Sequence, residues 1–336
     1  MKKILLTGTG GTIASVQGPE GLTPVLGPDD IIRYLPKATM GHYNIHCLPL
    51  MQLDSVNIQP RHWQVLAETI REHYESYDGF VITHGTDTMA YTSAALTYML
   101  QGIGKPVVLT GSQIPIRFDG TDAIRNATDA LRFASEPVSG VYVVFNGKAI
   151  LGTRAVKLRS KSLNAFESVN HPYIAAVENG VVHYLSAVNP GHHEQWKLDV
   201  GFCTGVFLLK LFPGLGPQIF DLIRHRYKGV VIESFGNGGV PSRSHPDLIK
   251  PLAELLDDGV AIVLTTQCLE EGQDWNLYET GKRLDKKRLI DGGDMITEAL
   301  VAKLMWALGK TDNLYEVKKL VETPIAGDRS GGTFRF

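Results

Sequence analysis

GFVITHGTDTMAYTSAALTYML, residues 79–100, holds the pattern from which the fold can be read. Gly79 to Thr83 is a short run of strand length, apolar as far as Ile82. A polar turn, His84-Gly85-Thr86-Asp87, follows without a break, and from about Thr88 the spacing becomes helical as far as Leu100. Strand, polar loop, helix is one half of a βαβ unit. The same arrangement opens the chain, where ILLTGTGGTIAS (residues 4–15) runs from a strand at Lys3–Leu6 into a glycine-rich turn.

Working outward, the unit recurs. Pro28-Asp29-Asp30 opens a helix through Leu35, and Asn44 to Leu50 suits a strand. Gln59-Pro60 starts a helix whose Trp63, Leu66, Ala67 and Ile70 share one face. Pro106 to Leu109 is a strand, residues 123–134 a helix, and Val141 to Phe145 a strand that turns at Asn146-Gly147 into Ala149–Thr153. Residues 186–204 lose periodicity and read as a linker, because NPGHHEQWKLDVG is rich in turn formers and polar groups. The pattern then restarts, with strands at 205–211, 229–234 and 260–265 and helices at 218–225, 248–256 and 297–308. The expected architecture is α/β. A large N-terminal domain (1–185) carries a mostly parallel sheet with helices on both faces, and a smaller α/β domain fills 205–336.

Composition narrows the function. Of 336 residues 43% are hydrophobic and 20% charged, and the formal net charge of -2 leaves no basic footprint for nucleic acid. Three scattered cysteines form neither a disulfide frame nor a zinc spacing, so no metal is expected. MKKILL begins like a signal peptide, but its apolar run stops at Thr7, short of the roughly 7 to 15 residues an export signal needs. No stretch reaches the roughly 20 apolar residues of a membrane span, so a cytoplasmic protein is expected.

GTGGTI lies where a dinucleotide or phosphate loop would lie, and it fails both patterns. The third glycine of GxGxxG falls on Ile13, and no GKS or GKT closes the turn. The acidic candidates, Asp29 and Asp30, follow Gly27-Pro28 and suit a helix start rather than a strand end. Two threonine-bearing loops at strand ends suggest instead a shared crevice, since ligands of open α/β sheets bind outside the carboxyl ends of the strands. Asp87 taken alone would read as a helix cap. A threonine hydroxyl needs a neighbouring base to become a nucleophile, and no histidine is spaced to serve; His84 reads as structural. Arg154, Lys157, Arg159 and Lys161 could form a solvated basic face, and Arg159 and Lys161 are read that way, but Lys157 is the one placed to reach Thr86 and Asp87.

On TGGTIAS (9–15) and GFVITHGTDTM (79–89) the chain resembles the bacterial-type L-asparaginase family, in its cytoplasmic type I branch. TGSQIP (110–115), ILGTRAVK (150–157) and GGDMITEA (292–299) extend the resemblance over nearly the whole chain. It implies hydrolysis of the side-chain amide of L-asparagine to aspartate and ammonia, with no cofactor. Thr12 matches the family's nucleophile on a mobile loop, and Thr86, Asp87 and Lys157 match the group that supports proton transfer. Asp54 and Ser55 match the substrate-binding loop, where Ser55 would hold the α-carboxylate and Asp87 would receive the α-ammonium. The turn of Gly10, Gly11 and Thr12 and the region of Thr86 would present backbone N–H groups to the oxyanion. A homodimer or homotetramer is implied, with the site completed by the neighbouring protomer.

Three positions depart from the family. Many members carry a loop tyrosine about ten residues past the nucleophile, where this chain has Leu22; Tyr278 is the expected substitute. Val56 stands where several members have a polar residue, implying one contact fewer to the α-groups. Glu233 stands where some type I enzymes have an arginine that binds allosteric asparagine, so a hyperbolic rate curve is expected. The rivals are a dual glutaminase-asparaginase, the amidase component acting on charged transfer RNA, and a non-catalytic amino-acid sensor. The last should have lost Thr12, Asp87 or Lys157, and all are present.

Overall fold

The polar residues after Leu6 do not end the first strand. In the computed structural model, which describes residues 1–188, 196–242, 247–275, 283 and 285–330, β1 runs Lys2–Gly10. Its threonines are buried but satisfied: Thr7 Oγ1 donates to Val81 O at 3.3 Å and Thr9 Oγ1 to Thr83 O at 3.0 Å. Both carbonyls belong to the neighbouring strand, so hydroxyls substitute for apolar side chains without orphaning a polar group.

The chain divides into two units, Met1–Asp199 and Val200–Phe336. The expected linker includes 189–195, which lie outside the described residues. After β1 the first unit forms a hairpin of β2 (Ser15–Gly18) and β3 (Gly21–Pro24), then short helices α1 (Pro28–Ile32) and α2 (Lys37–Met40). Strand β4 (Tyr43–Leu53), α3 (Pro60–His73), β5 (Gly79–Thr83) and α4 (Met89–Met99) follow. Next come β6 (Pro106–Thr110), α5 (Ala123–Phe133), β7 (Gly140–Phe145) and β8 (Lys148–Leu151). The unit closes with β9 (Ala155–Lys157), β10 (Phe166–Ser168), β11 (Ala175–Glu178) and β12 (Val181–Tyr184).

Eight of these strands make one sheet in the order β12-β11-β8-β7-β6-β5-β1-β4. The five from β4 to β7 are parallel, and β8, β11 and β12 join antiparallel at the other edge. Asn146 (φ 49°) and Gly147 (φ 74°) make the tight turn between β7 and β8, as their sequence implied. Strands β1, β5 and β6 are buried on both faces: α1 and α5 share one core with Ile4, Leu6, Val81 and Val108, while α4 lies with α3 and packs on β7. Such two-sided burial explains the unbroken apolar runs.

From β1 the chain goes outward to β4, then returns across β1 to β5. Winding therefore reverses between β1 and β5, and the carboxyl ends of these two strands flank a topological switch point, where such sheets bind ligands.

The second unit has a four-stranded parallel sheet in the order β13 (Val206–Lys210), β14 (Gly229–Ser234), β15 (Ala261–Thr266), β16 (Ile290–Asp291). Among its described residues the helices are α6 (Gln218–Arg224), α7 (Ile249–Asp257), α8 (Thr297–Leu308) and α9 (Leu314–Glu322). Leu209, Phe220, Ile232, Leu255 and Leu264 form its core. The α/β class holds in both units. Among the described residues no helix is long and apolar enough to cross a membrane.

Candidate active site

The loops leaving β1 and β5 meet backbone to backbone. Gly11 has φ +77°, and a Cβ there would lie 2.3 Å from Gly85 Cα. A Cβ on Gly85 would in turn lie 2.6 Å from Ser55 Oγ. Only glycine allows this approach, and it brings the loops of Thr12, Thr86 and Ser55 to one crevice. The glycines thus serve contact between loops rather than the cradling of a phosphate.

Thr12 begins a single 3₁₀ turn, Thr12–Ala14, anchored by buried Ile13 and Ala14. Ser15 Oγ donates to Gly11 O at 2.9 Å and fixes the turn from inside. Thr12 itself is half-buried, and among the described residues its hydroxyl has no hydrogen-bond partner. The N–H of Gly11 donates to Leu53 O at 2.9 Å, so this group of the expected oxyanion donors is already engaged.

Lys157 ends β9, where it stands opposite Phe166 of β10 while Ala155 and Val156 turn inward. Its Nζ donates to Thr86 Oγ1 at 2.7 Å and to Asp87 Oδ1 at 2.6 Å. Thr86 is buried, whereas the Asp87 side chain keeps 54% of its exposure and faces the open crevice. Asp87 is not a helix cap. Thr88 takes the N-cap position of α4, and its hydroxyl donates to Ser55 O at 2.8 Å. Ser55 is buried. Asp54 is exposed, and its carboxylate accepts from Val56 N at 3.2 Å, capping the turn that carries Ser55.

Two further groups join the site that sequence reasoning leaves without a role. Thr86 Oγ1 donates to Gln113 Oε1 at 3.2 Å, and Gln113 Nε2 donates to Ser162 O at 3.3 Å. Asp122 accepts from the backbone N–H groups of Gln113 and Ile114, both at 3.0 Å, and so fixes that loop. The available signal is TGSQIP itself, a third polar loop at the carboxyl end of a parallel strand. Of the basic residues in this stretch, Arg154 is fully buried. Arg159 is tied to Glu167 at 2.6 Å, while Lys161 is exposed. Tyr278 lies outside the described residues. In the second unit Glu233 accepts from Thr297 Oγ1 at 2.7 Å. Among the described residues no group of three or more His, Cys, Asp or Glu side chains could hold a metal.

His84 lies beneath the turn, fully buried. Its Nδ1 faces Gly85 O at 2.7 Å, which requires an N–H there, and its Nε2 therefore accepts from Thr92 Oγ1 at 3.0 Å. Trp63 Nε1 donates to the same hydroxyl at 3.0 Å, which fixes every proton in this series of bonds. Burial lowers the His84 pKa from 6.5 to about 4, against the opposing bond to Gly85 O. A group that resists protonation when folded gives stability that is full above 6.5 and is lost as pH falls towards about 4. The loss amounts to about 3 kcal/mol. Asp129 acts oppositely: burial raises its carboxyl to about 6, with Arg125 opposing, so its contribution is lost as pH rises through that value. Urea denaturation of wild type and His84→Gln at pH 7 and pH 4 separates the two. The wild type should lose about 2 to 3 kcal/mol more than the variant over that interval; parallel losses would remove His84 as the cause.

Comparison with known proteins gives a consistent picture. Residues 3–189 match the family model described as asparaginase, N-terminal, and residues 205–321 match the glutaminase/asparaginase C-terminal domain. The chain is 40% identical to an L-asparaginase of Thermococcus kodakarensis, over 98% of this chain and 99% of that protein. A solved structure of the thermostable L-asparaginase from Thermococcus kodakarensis superposes with a TM-score of 0.91 at 39% identity, covering 98% of this chain and 100% of the other. The chain is also 33% identical to L-asparaginase 1 of Escherichia coli, over 97% of this chain and 98% of that protein. A glutamyl-tRNA(Gln) amidotransferase component from Pyrococcus abyssi is 35% identical, over 98% of this chain and 77% of that protein.

Proposed function

Given that the chain belongs to the asparaginase family, we propose that it hydrolyses the side-chain amide of L-asparagine, with Thr12 as nucleophile and Thr86, Asp87 and Lys157 in support. The observation that carries this reading is the pair of short bonds from Lys157 to Thr86 and Asp87, set beside the turn of Thr12 at the switch point. Family membership supplies the reaction class and the geometry suggests the roles.

In the proposed sequence Thr12 Oγ attacks the amide carbon. Its proton passes through the Thr86 hydroxyl to a neutral Lys157, and the carbonyl oxygen takes the negative charge. With Gly11 N–H bound to Leu53, the donors for that oxygen are assigned to the backbone of Thr12 and of the 85–87 turn. The C–N bond then breaks as the proton returns to the leaving nitrogen, which departs as ammonia. Water, deprotonated by the same lysine, cleaves the Thr12 ester to give aspartate and the free hydroxyl. The exposed carboxylate of Asp87 receives the substrate's α-ammonium while it pairs with Lys157, and Ser55 holds the α-carboxylate.

The test is ammonia release from asparagine and from glutamine. Asparagine should be preferred by about tenfold or more in kcat/KM, because one added methylene displaces the amide carbon from a fixed nucleophile. Equal rates would favour a dual glutaminase-asparaginase, and no release from either substrate would overturn the enzyme assignment.

A further inference from the structure

The two ends of the Gln113 side chain face chemically different partners. Its amide nitrogen meets the carbonyl of Ser162, which can only accept, so its oxygen must face Thr86. Thr86 must then donate to Gln113, and the lone pair on its other side accepts from Lys157. Lys157 donates to both Thr86 and Asp87. The hydrogen bonds thus run in one direction, from Lys157 through Thr86 and Gln113 to the backbone of Ser162. That polarity matches a protonated lysine. When Lys157 is neutral it offers a lone pair, and the Thr86 hydrogen can turn to it.

We propose that Gln113 is a positioning residue that holds the Thr86 hydrogen while Lys157 is protonated and releases it to Lys157 when the lysine is neutral. The hydroxyl becomes a rotor between two acceptors, as a proton relay requires. Thr86 is only 4% exposed, so solvent is a poor substitute acceptor, and a buried O–H without a partner carries a desolvation penalty. Asp122 makes the arrangement rigid. It binds the N–H groups of residues 113 and 114 and also accepts from Asn126 Nδ2 at 3.1 Å, while Asn126 itself is tied to Gly111 O. The charged groups facing the rotor are Lys157 and Asp87, with Asp122 on the backbone behind Gln113; Arg159 is turned to Glu167 and Asn164 O.

This inference rests on the proposed role of Lys157 as proton acceptor, and two substitutions test it with opposite signs. Gln113→Met removes the alternative acceptor. It should lower kcat by about tenfold or more with KM within about threefold, and move the acid limb of the kcat/KM profile to lower pH. Gln113→Glu keeps an acceptor and adds a negative charge that favours the protonated lysine. It should retain more of kcat than the methionine variant and move the same limb to higher pH, by about half a unit or more. Thermal midpoints accompany both measurements. Shifts of opposite direction support the rotor. Unmoved limbs, or shifts of one sign, reduce Gln113 to a structural contact. Should Gln113→Met fail to fold, Gln113→Leu, which also lacks an acceptor, takes its place in the comparison with Gln113→Glu. A wild type inactive on both amides removes the functional reading and this inference together, whereas an active wild type with unmoved limbs removes this inference only.

Discussion

Thr12→Ala should lower ammonia release from asparagine by about ten-thousandfold or more, with substrate affinity changed far less. The crevice offers two threonine hydroxyls, and their surroundings separate them. Thr86 is buried with its hydrogen given to Gln113 and one lone pair bound to Lys157. Such a group is suited to relaying a proton and poorly suited to attack. Thr12 is half-buried, and its hydroxyl is free of partners among the described residues. It stands on a turn pinned by Ser15 and Gly11, so attack requires little reorganisation of the backbone. Thr12→Ser keeps the hydroxyl and loses only the methyl that restricts its rotamer, and about a tenth or more of the wild-type rate should remain. Initial rates for Thr12→Ala, Thr12→Ser and Thr86→Ala check the assignment. If Thr86→Ala proves the more damaging alanine substitution, the nucleophile is Thr86 and the roles exchange.

Much of the scaffold is legible because parallel strands buried on both faces read as near-continuous apolar runs. Gly79–Thr83, Pro106–Thr110 and Gly229–Ser234 stand where unbroken runs place them. The end of β1 is not legible, since Thr7-Gly8-Thr9-Gly10 has the composition of a turn; its strand geometry depends on carbonyls more than seventy residues away. The hairpins β2/β3 and β11/β12 escape a sequence reading for a different reason. They are four residues per strand, too short to show a period, although Asn179-Gly180 marks the β11/β12 turn as Asn146-Gly147 marks that of β7/β8.

The site divides in the same way. Thr12, Thr86 and Asp87 stand on local turns whose glycines announce them, and Lys157 follows from the motif that carries it. Gln113 and Asp122 act through partners fixed only by the folded chain, with Gln113 reaching Thr86 across 27 positions and Ser162 across 49. Arg154 is open to misreading because basic residues at 154, 157, 159 and 161 suggest a shared surface, while tertiary packing buries the first of them completely. Sequence spacing names residue types; it does not say which side chain the core will enclose.

Burial of charge also sets the largest expected stability effect, and it lies in the second unit. Lys303 of α8 and Asp328 of the segment after α9 are both fully buried, 2.7 Å apart. The ammonium also donates to Thr323 O at 2.7 Å, and the carboxylate accepts from Ile325 N at 2.8 Å. Neighbouring residues of that segment bind the turn after β16: Arg329 donates to Asp291 O at 2.6 Å, and Ser330 Oγ to Asp294 Oδ2 at 2.7 Å. Removing one charge leaves the other enclosed without its counter-ion, so Asp328→Leu or Lys303→Met should cost about 3 to 5 kcal/mol. The double variant Lys303→Met, Asp328→Leu should cost clearly less than the sum, because it abandons no charge and retains apolar volume. What cost remains should come from the Thr323 carbonyl and the Ile325 N–H, which lose their partners. Urea denaturation of the four proteins closes the cycle. Additive losses would mean that the pair is a by-product of packing; strong coupling would make it the fastening that holds the 323–330 segment, and with it the Asp291–Asp294 turn, on α8.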